Sequence, residues 1–139
     1  MSIASETEVI AARTLLLGRA TFDGWLVGAA AAPTDDLCAF YMLLTQPNAT
    51  THGQYLVEHG ATGGIAYGLC LLWLVDRERC SPLVAEHRGS PRPFNIRLGG
   101  CAPLSEPSTL GEVVRDIESG QYPTTLRRLC DLKLASTRD

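Results

Sequence analysis

Lysine is almost missing from this chain. Lys133 is the only one in 139 residues, so no G-x-x-x-x-G-K-[ST] loop exists to cradle phosphates. Five cysteines (Cys38, Cys70, Cys80, Cys101, Cys130) form no C-x-x-C pair. Cys70, Cys80 and His87 show no recognised zinc spacing. No G-x-S-x-G elbow presents a serine nucleophile. Long apolar runs are lacking too. The longest uncharged and mostly apolar stretch, "GATGGIAYGLCLLWLV", covers residues 60–75 between His59 and Asp76. As a helix it spans about 24 Å, short of a hydrocarbon core of about 30 Å, so no membrane partner is expected.

What is present fits an ordinary folded domain. Apolar residues make up 45% and charged ones 19%, which argues against disorder. At this length folding buries roughly 70% of the unfolded surface, enough for one core. We therefore expect residues 1–139 to form a single domain. The N-terminal "MSIASETEVI" has acids where a secretory signal needs basic residues. With an odd cysteine count, that predicts reduced thiols and a cytoplasmic location. Basic charge is uneven. Residues 1–75 contain only Arg13 and Arg19 against six acids, whereas 77–97 hold five arginines against Glu78 and Glu86. Arg88, Arg92 and Arg97 thus become the candidate contact residues for a protein or anionic partner.

Helix signals dominate the chain. Ser5 and Glu8 stand at capping-box spacing, followed by Val9, Ala12 and Leu16 on one face. Gly18 and Gly24 predict a break, then a second helical piece ending before Pro33; Asp23-Gly24 alternatively permits a turn between two short strands. Thr34 with Asp35 and Asp36 caps a helix carrying Leu37, Phe40, Tyr41 and Leu44, and Gln46-Pro47-Asn48 stops it. Another starts at Thr50 or Thr51. Five of the eight prolines fall within 81–107, which predicts an irregular segment relieved only by the alternating "FNIRL" strand. Thr109 and Glu112 repeat the capping box ahead of Leu110, Val113, Val114 and Ile117. Gly120 ends that helix, and "TTLRRLCDLKLA" supplies a last one.

The glycine-rich stretch admits two readings. Gly60, Gly64 and Ala66 reproduce G-x-x-x-G-x-[GA], and "GATGGIA" resembles the glycine-rich turn of short-chain dehydrogenases. That resemblance implies "QYLVEH" as a strand, 65–75 as a helix, "PLVAEH" as a second strand, and Glu86 as the ribose-binding acid. Its specific part is residues 60–66, and no Tyr-x-x-x-Lys pair accompanies it. The other reading puts Gly60, Gly64 and Gly68 on one helical face as a groove for close packing. From Ile65 to Val75 the segment is apolar on every side, which predicts a central helix surrounded by protein, with a buried strand as the alternative because short apolar runs do not reveal their period. An exposed copy of that surface would make a dimer interface.

Two constellations remain. His52, Tyr55 and His59, at i, i+3 and i+7 in "THGQYLVEHG", share a helix face on which they could perform acid–base chemistry or bind a metal. "TLGEVVRDIESGQYPTTLRRLCDLKLA" resembles the helix-turn-helix of bacterial regulators, with Thr125, Arg127 and Arg128 on the second helix. Its turn reads as longer than that motif uses, and 109–139 hold five basic and five acidic groups. The fold class expected is mainly α: a helical bundle of about five or six helices with the irregular 81–107 segment and room for one short β-strand pair. The leading expectation for function is a non-catalytic, self-associating interaction or accessory protein, without cofactor or metal. The alternative is a small-molecule binder or enzyme with His52, Tyr55 and His59 at its pocket mouth. Nucleotide binding at 60–66 and DNA binding at 109–134 rank below both.

Overall fold

Ser5 starts the first helix as its spacing to Glu8 requires. Its hydroxyl accepts from the Glu8 amide, and the Glu8 carboxylate accepts from the Ser5 amide. The computed structural model describes residues 5–20, 22–26, 34–99 and 106–134. Among them the elements run α1 (Glu6–Leu17), β1 (Phe22–Leu26), α2 (Asp35–Leu44), α3 (Ala49–His59), α4 (Thr62–Val75), α5 (Arg77–His87), β2 (Pro93–Gly99), β3 (Glu106–Thr109), α6 (Leu110–Glu118) and α7 (Gln121–Lys133). The fold is mainly α, as composition and periodicity led one to expect. No helix of the described residues is long and apolar enough to cross a membrane.

The core is built around α4. Residues 63–72 of this helix are all buried, with Tyr67, Leu69, Leu71 and Leu72 fully so. Each such large apolar side chain contributes roughly 1.5–3 kcal/mol when removed from water. Helices α1, α2, α3, α5, α6 and α7 all pack against it, which explains why its sequence lacks a polar face. The capped helices supply the facing stripes: Val9, Ala12 and Leu16 from α1, Leu37, Phe40 and Leu43 from α2, and Val113, Val114 and Ile117 from α6.

Three local expectations are corrected. Residues 22–26 are a strand rather than helix; residues 27–33 of that expected helix lie outside the described residues. β1 pairs in parallel with β2 through Phe22 opposite Ile96, and β2 pairs antiparallel with β3 through Phe94 opposite Ser108. The reason lies far along the chain. Phe22 is fully buried with edge-on contacts to Tyr67 at 4.9 Å, Phe94 at 5.0 Å and Tyr122 at 5.4 Å between centroids. Aromatic edge contacts of this kind add to area burial, and an extended backbone places the ring among all three.

The second correction concerns the segment expected to be irregular. α5 runs through Pro82 to His87. The amide that proline lacks would have met the Glu78 carbonyl one turn earlier, on an exposed residue open to water. An interior proline costs about 3 kcal/mol. Burial of Cys80 and Val84 from the same helix opposes that cost. The third correction is the link between α6 and α7, which is only Ser119 and Gly120, not a long turn. Gly120 sits at φ 92°, where a side chain is strained. A Cβ there would also lie 2.8 Å from the Trp73 ring.

Candidate functional site

Helices α1 and α3 lie side by side, and the polar residues of interest gather between them. The Arg13 guanidinium carbon stands 3.9 Å above the centroid of the Tyr55 ring. His59 lies one turn further along α3, its ring centroid 4.7 Å from that of Tyr55. Both Tyr55 and His59 are exposed, and Arg13 is partly buried. His52 differs from its neighbours: it is buried, and neither ring nitrogen has a hydrogen-bond partner among the described residues. Burial, and secondarily the Arg13 charge, lower its pKa below the ordinary histidine value. At neutral pH its imidazole is therefore uncharged, with one donor and one acceptor nitrogen.

Arg13 was not singled out by sequence; it is the residue that completes this group. It follows Val9 by four and Ala12 by one, at the margin of the buried stripe of α1. A lone arginine beside an apolar stripe, in a half of the chain poor in basic residues, was the available signal. The Arg13 guanidinium forms no hydrogen bond or ion pair with another described residue. The second stacked arginine behaves otherwise: Arg77 lies 3.4 Å above the Trp73 ring and donates to the Trp73 carbonyl.

A second polar cluster belongs to the core. Asp36 in the first turn of α2 is buried and accepts from Arg19 at 2.8 Å and from the Tyr67 hydroxyl at 2.7 Å. Read from sequence, Asp36 was only an acid favourable to a helix N-terminus. Its carboxylate in fact ties the end of α1 to α2 and α4.

The remaining sequence candidates are dispersed. Gly60 is not on a helical face with Gly64 and Gly68; it lies in the short link between α3 and α4, where a Cβ would strike the Leu56 carbonyl. Gly64 and Gly68 are in α4, each with its own neighbour. A Cβ on Gly64 would meet the Leu17 carbonyl at 2.7 Å, and one on Gly68 the Gly53 carbonyl at 2.7 Å. The small-residue surface proposed for self-association is thus occupied by α1 and α3 of the same chain. The dehydrogenase-like reading of 60–66 fails on context, because "QYLVEH" and "PLVAEH" are both helical. The backbone amides of Ala61 and Gly64 are moreover taken by the carbonyls of Leu17 and Arg19, so they are not free to hold a phosphate.

Arg88 forms an ion pair with Glu118. Arg92 is exposed in the loop that follows α5, whose Ser90 and Arg92 carbonyls accept from the first amides of α6. Arg97 lies in β2. On α7, Arg127 pairs with Asp131 at 3.5 Å, Arg128 is exposed, and the Thr125 hydroxyl donates to the Gln121 carbonyl. The thiols are held protonated: burial pushes Cys80 up to about 11 and Cys130 up to about 12, and raises Cys38 and Cys70 as well. Such groups are poor nucleophiles. Comparison with protein-family models, curated proteins and solved structures found no match.

Proposed function

We propose that this protein is a non-catalytic binding protein whose ligand site is the polar cluster of Arg13, His52, Tyr55 and His59 where α1 packs on α3. The observation that carries this reading is His52, buried with both ring nitrogens unpaired. A buried polar group left without a partner costs about 1–3 kcal/mol, and a ligand that bonds it recovers that cost. Binding is favoured over acid–base catalysis because a catalytic histidine is normally oriented by a hydrogen bond to its second nitrogen. His52 has no such orienting group among the described residues. Tyr55, with Arg13 over its ring and the His59 ring tilted at 50° beside it, supplies an aromatic surface of the type enriched at recognition sites.

The four free cysteines among the described residues agree with a reducing compartment, so a cytoplasmic location belongs to the same proposal. Association with a second copy would have to use a face other than α4, and an anionic partner at 77–97 would meet Arg92 first. The test is a thermal-shift panel of metabolites on the full chain. A true ligand raises Tm, and His52→Gln or His59→Ala removes the rise. A panel in which no compound both raises Tm and perturbs the His52 ring resonances overturns the assignment.

A further inference from the structure

Two groups without a hydrogen-bond partner among the described residues stand where α1 packs on α3. His52 has two unpaired nitrogens. The Arg13 guanidinium carbon lies 3.9 Å over the Tyr55 ring, and a cation–π contact leaves the N–H donors of a guanidinium unused. Its five N–H donors lie in the plane of the group, and no described carboxylate or carbonyl accepts from them. Guanidinium planes without an acceptor match the fork geometry of carboxylates and phosphates.

The charges around the site are one-sided. α1 contributes Arg13, with Glu6 exposed about two turns away on the same helix face and Glu8 spent on capping Ser5. α3 itself contributes Tyr55 and His59, while Glu58 accepts from Gln54 on another side of the helix. α4 brings no charged side chain to α3, and Tyr67 is committed to Asp36. α2 brings Asp35, which is exposed at the far helix start, and Asp36, which is neutralised by Arg19. Arg79 of α5 reaches α3 only at Gln54.

Resting on the binding role assigned above, we propose that the ligand is a small oxyanion, held by the planar edge of Arg13 and a ring N–H of His52 beside Tyr55. An anion seated there cancels the repulsion that Arg13 exerts on a proton at His52. Binding therefore draws a proton onto the imidazole, which donates one ring N–H to the anion. Affinity rises as pH falls through the histidine range, by as much as about ten-fold for each unit by which the anion raises the His52 pKa.

The test uses the full chain with inorganic phosphate and with succinate, each against potassium chloride at matched ionic strength. His52 is followed by its ring resonances through a pH titration. The expected result is a raised His52 pKa with one or both oxyanions and none with chloride; the larger shift tells phosphate from carboxylate. Arg13→Gln should abolish the shift with the far-UV spectrum and Tm retained, and Arg13→Lys should restore only part of it. An identical His52 titration in all three salts, or a full response in Arg13→Gln, overturns the oxyanion assignment. If a neutral or cationic metabolite moves the His52 resonances while both oxyanions leave them fixed, this inference falls and the binding role survives. Silence of His52 toward every compound removes both.

Discussion

Asp36 and His52 are buried to the same depth, each 5% exposed, and each has an arginine of the α1 region for a neighbour. There the likeness ends. Asp36 is saturated by Arg19 and Tyr67, whereas His52 has no hydrogen-bond partner and Arg13 no acceptor among the described residues. A buried polar group that is fully paired fixes the packing of its neighbours. One left open is costly to the fold and is retained where something else completes it. The contrast separates a structural polar site from a candidate binding site within one stretch of α1.

The largest expected effect comes from breaking the closed site. Asp36→Ala should destabilise by about 2–3 kcal/mol, because the Tyr67 hydroxyl loses its acceptor in the core and Arg19 its partner. Chemical denaturation measures this, and a loss below the error of the midpoint would erase the distinction between the two sites. The open site should respond in the opposite sense. His52→Leu removes two unpaired nitrogens at similar volume and should raise stability by about 1 kcal/mol while ending ligand response. A destabilised His52→Leu would mean that the imidazole is already satisfied.

Acid should act on the same residue. The folded-state pKa of His52 is lowered, by burial first and by Arg13 second, so the unfolded chain binds the proton more readily. The stability that depends on neutral His52 is present above about pH 6.5 and is lost as pH falls through the folded-state value. Melting curves taken downward from neutral pH should show this loss, and His52→Leu should flatten it. Arg13→Gln carries the smallest expected effect on the fold, within about 0.5 kcal/mol. Its fingerprint is a rise of the His52 pKa in the absence of ligand, since one cause of the depression is removed. An unchanged titration there would show that the Arg13 charge does not reach the imidazole.

Much of the helical framework was legible in the residues because its signals act within one turn. Ser5 pairs with Glu8 as read, Thr34 caps α2 as read by accepting from the Leu37 amide, and Thr109 accepts from the Glu112 amide. At Thr109 the box closes only on one side, because Glu112 accepts from Ser108 instead. The candidate site was half legible. The spacing of His52, Tyr55 and His59 placed them on one arc of α3, but nothing local told that His52 would be buried and the other two exposed. Arg13 entered only through the packing of a helix some forty residues earlier in the chain.

By itself the sequence determined the mainly helical fold, the caps that start three of the helices, and the all-round burial of α4, since each depends on i, i+3 and i+4 relations or on apolarity of a whole segment. Tertiary structure alone decided that Phe22 lies in a strand, that Pro82 is carried inside a helix, that Gly60 serves a turn, and that Arg13 meets Tyr55. Those outcomes depend on partners distant in the chain: the rings of Tyr67, Phe94 and Tyr122 for Phe22, the core under Cys80 and Val84 for Pro82. Where burial of a distant contact outweighs a local preference of a few kcal/mol, the local signal yields.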